Sequence, residues 1–458
     1  MAISVGIKES YRERLIKSKE EIEQKNGKSL AELYEEKEKR MADAGQLKMP
    51  DRVPVTIQTT VFAAKYVGVP LSSMYYDHTS YRIASLLTAL EFDADTGGVG
   101  AFANSGPSME LLDTKNAAWP GGTLPPDTPY QFVEGEYMKA EEYDLFLNDP
   151  SDFVLRYYLP RVYGLLAPLP KLPPFKDAIG GFGIQGLASI FASPEFRKIG
   201  EALVKIDEEQ IRLRKEAAEF TNEMVELGFP PEYVGGGSTV MRGNTAGGSG
   251  VGVGGAPFDT ISDFLRGMRG TMLDMYRCPD KLLAACDKLF EWRLAKAVPF
   301  TPDARGNPRR VFMALHRGSD GFMSVKDFEK FYWPTLKKAI LTTIELGCIA
   351  APFWEGIWDE RLEYLLDFPK GKVIFHCENT DIFKAKEILG DHMCIQGGMP
   401  PTLLQVGSPQ DIEDHCKKLI KVVGKNGGFI LGPGSAMDYA KPENVRAMVE
   451  TVKKYGWY

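Results

Sequence analysis

Lys372-Val-Ile-Phe-His-Cys-Glu-Asn-Thr-Asp381 is the stretch from which the fold can be read. Three apolar residues, Val373, Ile374 and Phe375, run into His376, Cys377, Glu378 and Asp381, and a helical pattern over 382–389 ends at Gly390. Strand, polar loop, helix is the order in which α/β sheets and barrels hold chemically able side chains, at the carboxyl end of a strand. The same loop also offers Asn379, Thr380 or Asp381 as an ordinary helix N-cap.

The pattern repeats on both sides of this stretch. Apolar runs at 311–315, 348–353, 393–395 and 429–431 alternate with helical segments. Those segments open on usable caps: Ser324 with Asp327, Ser408-Pro409 with Asp411, and Lys441-Pro442-Glu443. Short buried strands separated by helices imply parallel pairing through right-handed crossovers. The fold class expected is α/β, a (β/α)8 barrel rather than a sheet with one switch point.

The strand ends then present His316-Arg317-Gly318-Ser319-Asp320, Trp354-Glu355-Gly356, His376-Cys377-Glu378, Gln396-Gly397-Gly398 and a 432–438 loop ending at Asp438. In a barrel these loops converge. Glu355, His376, Glu378 and His316 are candidate acid/base groups. Arg317, Trp354, Gln396 and Asp438 are candidates for holding a substrate, and Arg317 with Asp320 also reads as a structural ion pair. His376, Cys377 and Glu355 include three possible metal ligands. Adjacent His and Cys on a strand face opposite ways, however, so both could ligate only past the strand's end. Cys377 alone also reads as a small buried hydrophobe.

Before residue 309 the order is looser. Residues 8–46 are dense in Lys, Glu and Arg with thinly spaced apolar residues, the pattern of an exposed helical arm that could serve a partner or a homodimer. Domain organisation is therefore expected as a 1–50 helical extension and a 51–458 barrel, with a loop-rich, Pro- and aromatic-rich insertion over 97–190 covering the barrel mouth. A first strand is expected within 51–58, helices at 59–66 and 81–92, and a long helix from Ser193-Pro194 to Leu227. Gly250, Gly252 and Gly255 match a dinucleotide spacing, but with no strand before them and no helix opening within the tract. Helical periodicity resumes over 261–276 and 279–298.

Composition narrows the function classes. A chain of 458 residues, 44% hydrophobic, can bury a large core. The net charge of −7 is spread along the sequence, which argues against nucleic acid as the main partner. No apolar run reaches the roughly 18 residues of a membrane span and no signal-type leader opens the sequence, so a cytoplasmic, non-membrane protein is expected. The 6 Cys lack disulfide-framework or Cys-x-x-Cys spacing.

His316-Arg-Gly-Ser-Asp-Gly-Phe-Met-Ser324, Phe331-Tyr-Trp-Pro334, Pro352-Phe-Trp-Glu-Gly356, Thr380-Asp-Ile-Phe-Lys-Ala-Lys386 and Gly427-Gly-Phe-Ile-Leu-Gly-Pro-Gly434 together resemble the uroporphyrinogen decarboxylase superfamily, most densely after Val311. That superfamily is built on a (β/α)8 barrel and includes corrinoid-dependent methyltransferases. Its decarboxylase branch uses an arginine-rich N-terminal segment. Here no arginine follows Arg52 until Arg82, so the resemblance points to the methyltransferase branch. Members of that branch bind zinc through His-x-Cys and a distal Cys. In this register Cys377 matches the Cys, Phe375 stands at the His and Ser435 at the distal Cys, which leaves one of the three ligands in place.

The resemblance thus implies transfer of a methyl group between a small substrate, such as an aromatic ether, and a corrinoid (cobalamin) cofactor on a partner protein. One alternative is a lyase that decarboxylates a non-porphyrin acid, anchored by Arg317, Arg242 or Arg82. The other is a non-catalytic barrel subunit of a corrinoid complex.

Overall fold

Five strands, β3 (Arg310–Leu315), β4 (Ile349–Trp354), β5 (Ile374–Cys377), β6 (Cys394–Met399) and β7 (Phe429–Pro433), pair in parallel and in sequence order. They belong to a computed structural model that describes residues 16–24, 26–97, 105–179, 183–233, 254–297, 299–303 and 305–458. Earlier in the chain a two-residue antiparallel ribbon joins β1 (Ala117–Ala118) to β2 (Gln131–Phe132).

Register assigns each side chain to a face. Because Arg310 pairs with Ile349, Phe353 with His376, and Gln396 with both His376 and Ile430, one face carries Phe312, Phe353, Ile374, His376, Cys394, Gln396 and Ile430. The opposite face carries Met313, Trp354, Phe375, Cys377, Ile395 and Leu431. That second face belongs to the main hydrophobic core, with Leu336, Leu389, Leu419 and Val452 from the crossover helices. The first face is closed at its amino-terminal end by Met41 and Ala44, which pack on Ile349, Ile374 and Ile430.

The sheet continues past β7. Val55 bridges Leu431 in parallel, Asp95 N–H donates to the Val55 carbonyl at 2.9 Å, and Gly97 N–H to that of Pro230 at 3.4 Å. On the far edge, Arg310 Nε donates to the Glu232 carbonyl at 2.9 Å. Three segments around residues 55, 95 and 231 thus lie in order between β7 and β3.

Several expected elements stand where the sequence placed them. The helices are Thr60–Val67, His78–Phe92, Pro194–Glu226, Gly267–Arg277 and Pro279–Leu294. Ser408 and Asp411 form a reciprocal capping box, and Asp381 caps Ile382–Leu389 by accepting from Phe383 N–H and Lys384 N–H. Ser193 precedes its helix but makes no capping bond.

The exposed-arm expectation fails from residue 30 onward. The Leu30–Gly45 helix buries Leu30, Leu33, Met41, Ala42 and Ala44, and with them Lys37, Glu38, Arg40 and Asp43. Its charges are paired with distant residues, Arg40 with Asp95 at 2.6 Å, Lys37 with Asp93 at 2.8 Å and Glu38 with Arg310 at 2.8 Å. Charge density reads as solvation only when the partners are not visible in the local sequence.

The described part of the 97–190 stretch is also more ordered than its composition suggests. Short helices at Gly106–Leu112, Tyr143–Asn148 and Leu159–Val162 break it up, and it is tied to the Gly267–Arg277 helix through Tyr143 O–H donating to Asp274 at 2.9 Å. Most of the glycine-rich tract, with Gly250, Gly252 and Arg242, lies outside the described residues. Among the described residues no helix is long and apolar enough to cross a membrane.

Candidate functional site

Strand parity builds the site in layers. Continuing each strand by one residue on the face of Ala314, Phe353 and His376 brings His316, Glu355 and Glu378 side by side at the carboxyl ends of β3, β4 and β5. His316 Nε2 lies 3.8 Å from Glu355 Oε2. Glu378 Oε2 accepts from Gly356 N–H at 2.7 Å, which pins the Glu378 carboxylate beside the Glu355 loop. Three of the four expected acid/base residues therefore share one layer, and His376 stands one layer below.

His316 is held from the side by a helical segment, Pro257–Thr260 and then the π-helical Ile261–Arg266. Its Nδ1 sits 2.5 Å from Asp263 Oδ2, and its backbone N–H donates to Asp259 Oδ2 at 3.0 Å. Burial works against the imidazolium, but the Asp263 hydrogen bond and the charges of Asp259, Asp263 and Glu355 outweigh it and raise the pKa to about 9. His316 is thus a cation at neutral pH, with Nε2 turned to Glu355. Burial raises the Glu355 carboxyl and the His316 charge opposes that rise, while Glu378 adds to it.

Asp259 is fully committed. It accepts from His316 N–H, from Arg317 N–H at 3.0 Å and from Tyr332 O–H at 2.8 Å, and burial lifts its pKa to about 6 against the nearby His316 charge. Arg317 donates to Asp263 and Ser262 and lies 3.5 Å from Glu134 of the cover segment. The expected Arg317–Asp320 pair is not formed, since Asp320 pairs with the buried Arg361. π-Helical turns at both Ile261–Arg266 and Phe328–Tyr332 flank this cluster, a distortion that recurs where side chains are aimed into a site.

The layer below is closed off from solvent. His376 Nδ1 meets Tyr233 O–H at 3.3 Å, and Gln396 donates to Glu232 Oε1 at 2.5 Å. Burial pushes His376 down to about 4, only partly opposed by the Pro433 carbonyl, so this imidazole is neutral. Burial pushes Glu232 up to about 7 against its hydrogen bonds from Gln396 and Tyr233. A raised carboxyl favours the folded state below the unfolded pKa and loses that contribution as pH rises through the folded value. Glu232→Gln should therefore gain stability relative to the parent as pH passes from about 4 to 7, by on the order of 3 kcal/mol at pH 8. Urea unfolding of both proteins at pH 5 and pH 8 checks this, and an equal difference at the two pH values would refute it.

Two expectations need correction, Trp354 at the site and the three-ligand metal set. Trp354 is fully buried on the outer face, stacked on Phe375 at 5.7 Å and against Trp358, and cannot line the site. Cys377 shares that outer face, where its thiol donates to the Thr380 carbonyl and burial raises its pKa to about 12. The His376, Cys377, Glu355 metal set is therefore not assembled, because β5 is still a strand at Cys377 and successive side chains alternate. Among the described residues no three His, Cys, Asp or Glu side chains form a metal-holding group. The inner-face pair with His-x-Cys spacing is His376 and Glu378, not Phe375 and Cys377.

Two other candidates stand off from the cluster. Gln396 lies in the closed lower layer, and Asp438, raised by burial, has Lys65 as its charged neighbour. Arg82 is occupied by Glu216 and Glu223 of the Pro194–Glu226 helix and makes no carboxylate anchor here.

Asp259, Asp263, Tyr332 and Glu232 were not anticipated. The legible signal for the first two was a pair of acidic residues four apart within Pro257-Phe-Asp-Thr-Ile-Ser-Asp-Phe-Leu265, an otherwise apolar helical run. Two carboxylates on one buried helical face require partners.

Comparison with known proteins places the second half of the chain. Residues 249–455 match the family model described as uroporphyrinogen decarboxylase. Curated relatives include uroporphyrinogen decarboxylases of Chlorobium phaeovibrioides, 43% identical over 79 residues, and of Chlorobaculum tepidum, 38% over 81 residues. These alignments cover 16% and 17% of this chain and in each case only 22% of the relative's length. Among solved structures a methyltransferase from Methanosarcina mazei superposes with a TM-score of 0.54 at 15% identity, over 92% of this chain and 98% of that one. The likeness is one of fold.

Proposed function

We propose, for a chain that carries a uroporphyrinogen decarboxylase family domain over residues 249–455, that it is a (β/α)8-barrel methyltransferase. The barrel reading is supported by the three segments around residues 55, 95 and 231, which stand in order between β7 and β3 and with the five strands supply eight staves. The domain reading is a 1–50 extension and one barrel over 51–458, with the 97–190 insertion as a cover and the Leu30–Gly45 helix closing the opposite end.

The reaction proposed moves a methyl group from a small donor, such as an aromatic ether, to a corrinoid carried by a partner protein that docks at the strand ends. A corrinoid docked there would supply the nucleophile for the methyl carbon. When that carbon leaves its heteroatom, the heteroatom needs a proton, and the observation that carries the proposal is the His316–Asp263 pair facing Glu355. His316 gives its Nε2 proton to the departing oxygen, and Asp263 keeps the ring charged and oriented until then. Glu355 sits beside the same proton, and after product leaves its carboxylate favours recharging of the His316 ring by a proton from solvent. Glu378 holds the Glu355 loop through Gly356. No step is assigned to zinc, because His376 and Cys377 stand on opposite faces of β5, and Phe375 and Ser435 occupy the family's other two ligand positions.

A second reading rests on Arg317 next to cationic His316, a pairing suited to a substrate carboxylate, and makes the protein a decarboxylase. The purified full chain, mixed with a reduced corrinoid protein and ethers, thioethers, amines or methanol, should change the cobalt absorption spectrum with at least one donor. No change with any donor overturns the methyltransferase reading. Carbon dioxide release without corrinoid would establish the second. Unaltered activity of the complex after alanine at both His316 and Glu355 would mark the barrel as a binding subunit.

A further inference from the structure

The Pro194–Glu226 helix buries one side through Phe196, Ile199, Ala202, Leu213, Phe220 and Met224. Its other side carries Val204, Ile211, Ala218 and Val225, all exposed, at intervals of seven residues. Val204 and Ile211 are 61% and 57% accessible, high for β-branched side chains on a regular helix. An apolar position recurring every heptad supplies one of the two positions that a helix–helix seam uses, and here the other is charged.

The charges around the seam specify which helix. Asp207 and Glu208 lie one turn before Ile211, and Arg214 and Lys215 one turn after it. A second copy running antiparallel, with a two-fold axis at Ile211, sets Ile211 on Ile211, Val204 on Ala218, Glu208 on Arg214 and Asp207 on Lys215. A parallel copy would set each charge on its own kind. Within one chain these groups are loosely engaged, Arg214 at 3.8 Å from Asp207 and Lys215 at 3.9 Å from Glu219, so they are at liberty to re-pair.

We propose that this helix is the interface of a two-fold homodimer, pairing antiparallel with the same helix of a second copy about Ile211. Such an interface is self-complementary, as an isologous contact must be. It uses none of the residues placed at the strand-end site, and it does not depend on the reaction assigned there.

Sedimentation velocity of the full chain at tens of micromolar should show a dimer, and Ile211→Asp should sediment as a monomer with an unchanged far-ultraviolet spectrum. D207K/E208R should weaken the dimer at least tenfold, and adding R214E/K215E should restore it, a rescue that a folding defect cannot mimic. Cysteine placement tests the direction. I211C should form a disulfide-linked dimer on mild oxidation; V204C alone should not, but V204C mixed with A218C should. The native thiols leave low background, Cys278 being half-buried and the others buried. A monomeric parent protein, a dimer that survives Ile211→Asp, or a charge swap that fails to restore association would each overturn the proposal.

Discussion

Alanine at His316 should lower methyl transfer by about 10²- to 10⁴-fold, the range expected when a positioned general acid is removed. The loss should fall on kcat more than on KM, because the proton is needed only as the bond to the methyl carbon breaks. The pH profile gives the sharper test. With a pKa raised to about 9, His316 is a competent acid through neutral pH, and activity should fall as pH rises through about 9. Asp263→Asn keeps the shape of the contact at Nδ1 but removes the charge that holds the proton. It should move the alkaline limb down toward the ordinary imidazole value of about 6.5. A profile unchanged in Asp263→Asn would sink the acid role, since the Asp263 hydrogen bond is the leading cause of the rise.

This site was half legible in the sequence, and the half that was missed has a physical explanation. Reading residues at strand ends found His316, Glu355 and Glu378, because parallel strands in order bring equivalent positions into one layer. The same reading set Trp354 among loop residues, and for Cys377 it held a ligand past the strand's end beside the buried hydrophobe that the fold shows. Both are still inside their strands, where parity sends them to the helix-covered face. Asp259 and Asp263 were hidden because they come from a helical segment more than fifty positions before His316. Only the three-dimensional fold brings these carboxylates to the imidazole. The strands after Arg309 and the long Pro194–Glu226 helix were legible because each carries its own periodicity, whereas the burial of the Leu30–Gly45 helix was not. Its apolar residues are few, and what buries its charges lies as far away as Asp95 and Arg310.

That helix leads to the largest stability effect expected in the molecule. Asp95 is fully buried, receives Arg40 at 2.6 Å and Arg52 at 2.8 Å, and accepts from Val55 N–H at 2.7 Å. It thereby locks the Leu30–Gly45 helix to the segments next to β7. Replacing it with alanine strands the buried Arg52 guanidinium and half of the Arg40 network, and should cost about 3 to 5 kcal/mol in urea unfolding. A loss under about 1 kcal/mol would show that the arginines find other partners.

The same carboxylate sets an acid limit. Burial alone would raise its pKa, but the two guanidinium charges win and hold it well below the usual carboxylate range. Its contribution is therefore fully present above the unfolded value of about 4 and is lost as pH falls below that toward the depressed folded value. Asp95→Ala should flatten the acid side of the stability curve as well as lower it. Replacing all three charged groups together, as R40M/R52M/D95L, separates pairing from anchoring. If the network matters only because a charge is never left alone, the triple variant should recover most of the lost stability. If its fixed geometry is what seats the helix under the strands, the triple variant should stay as unstable as Asp95→Ala, and His316 activity should fall with it.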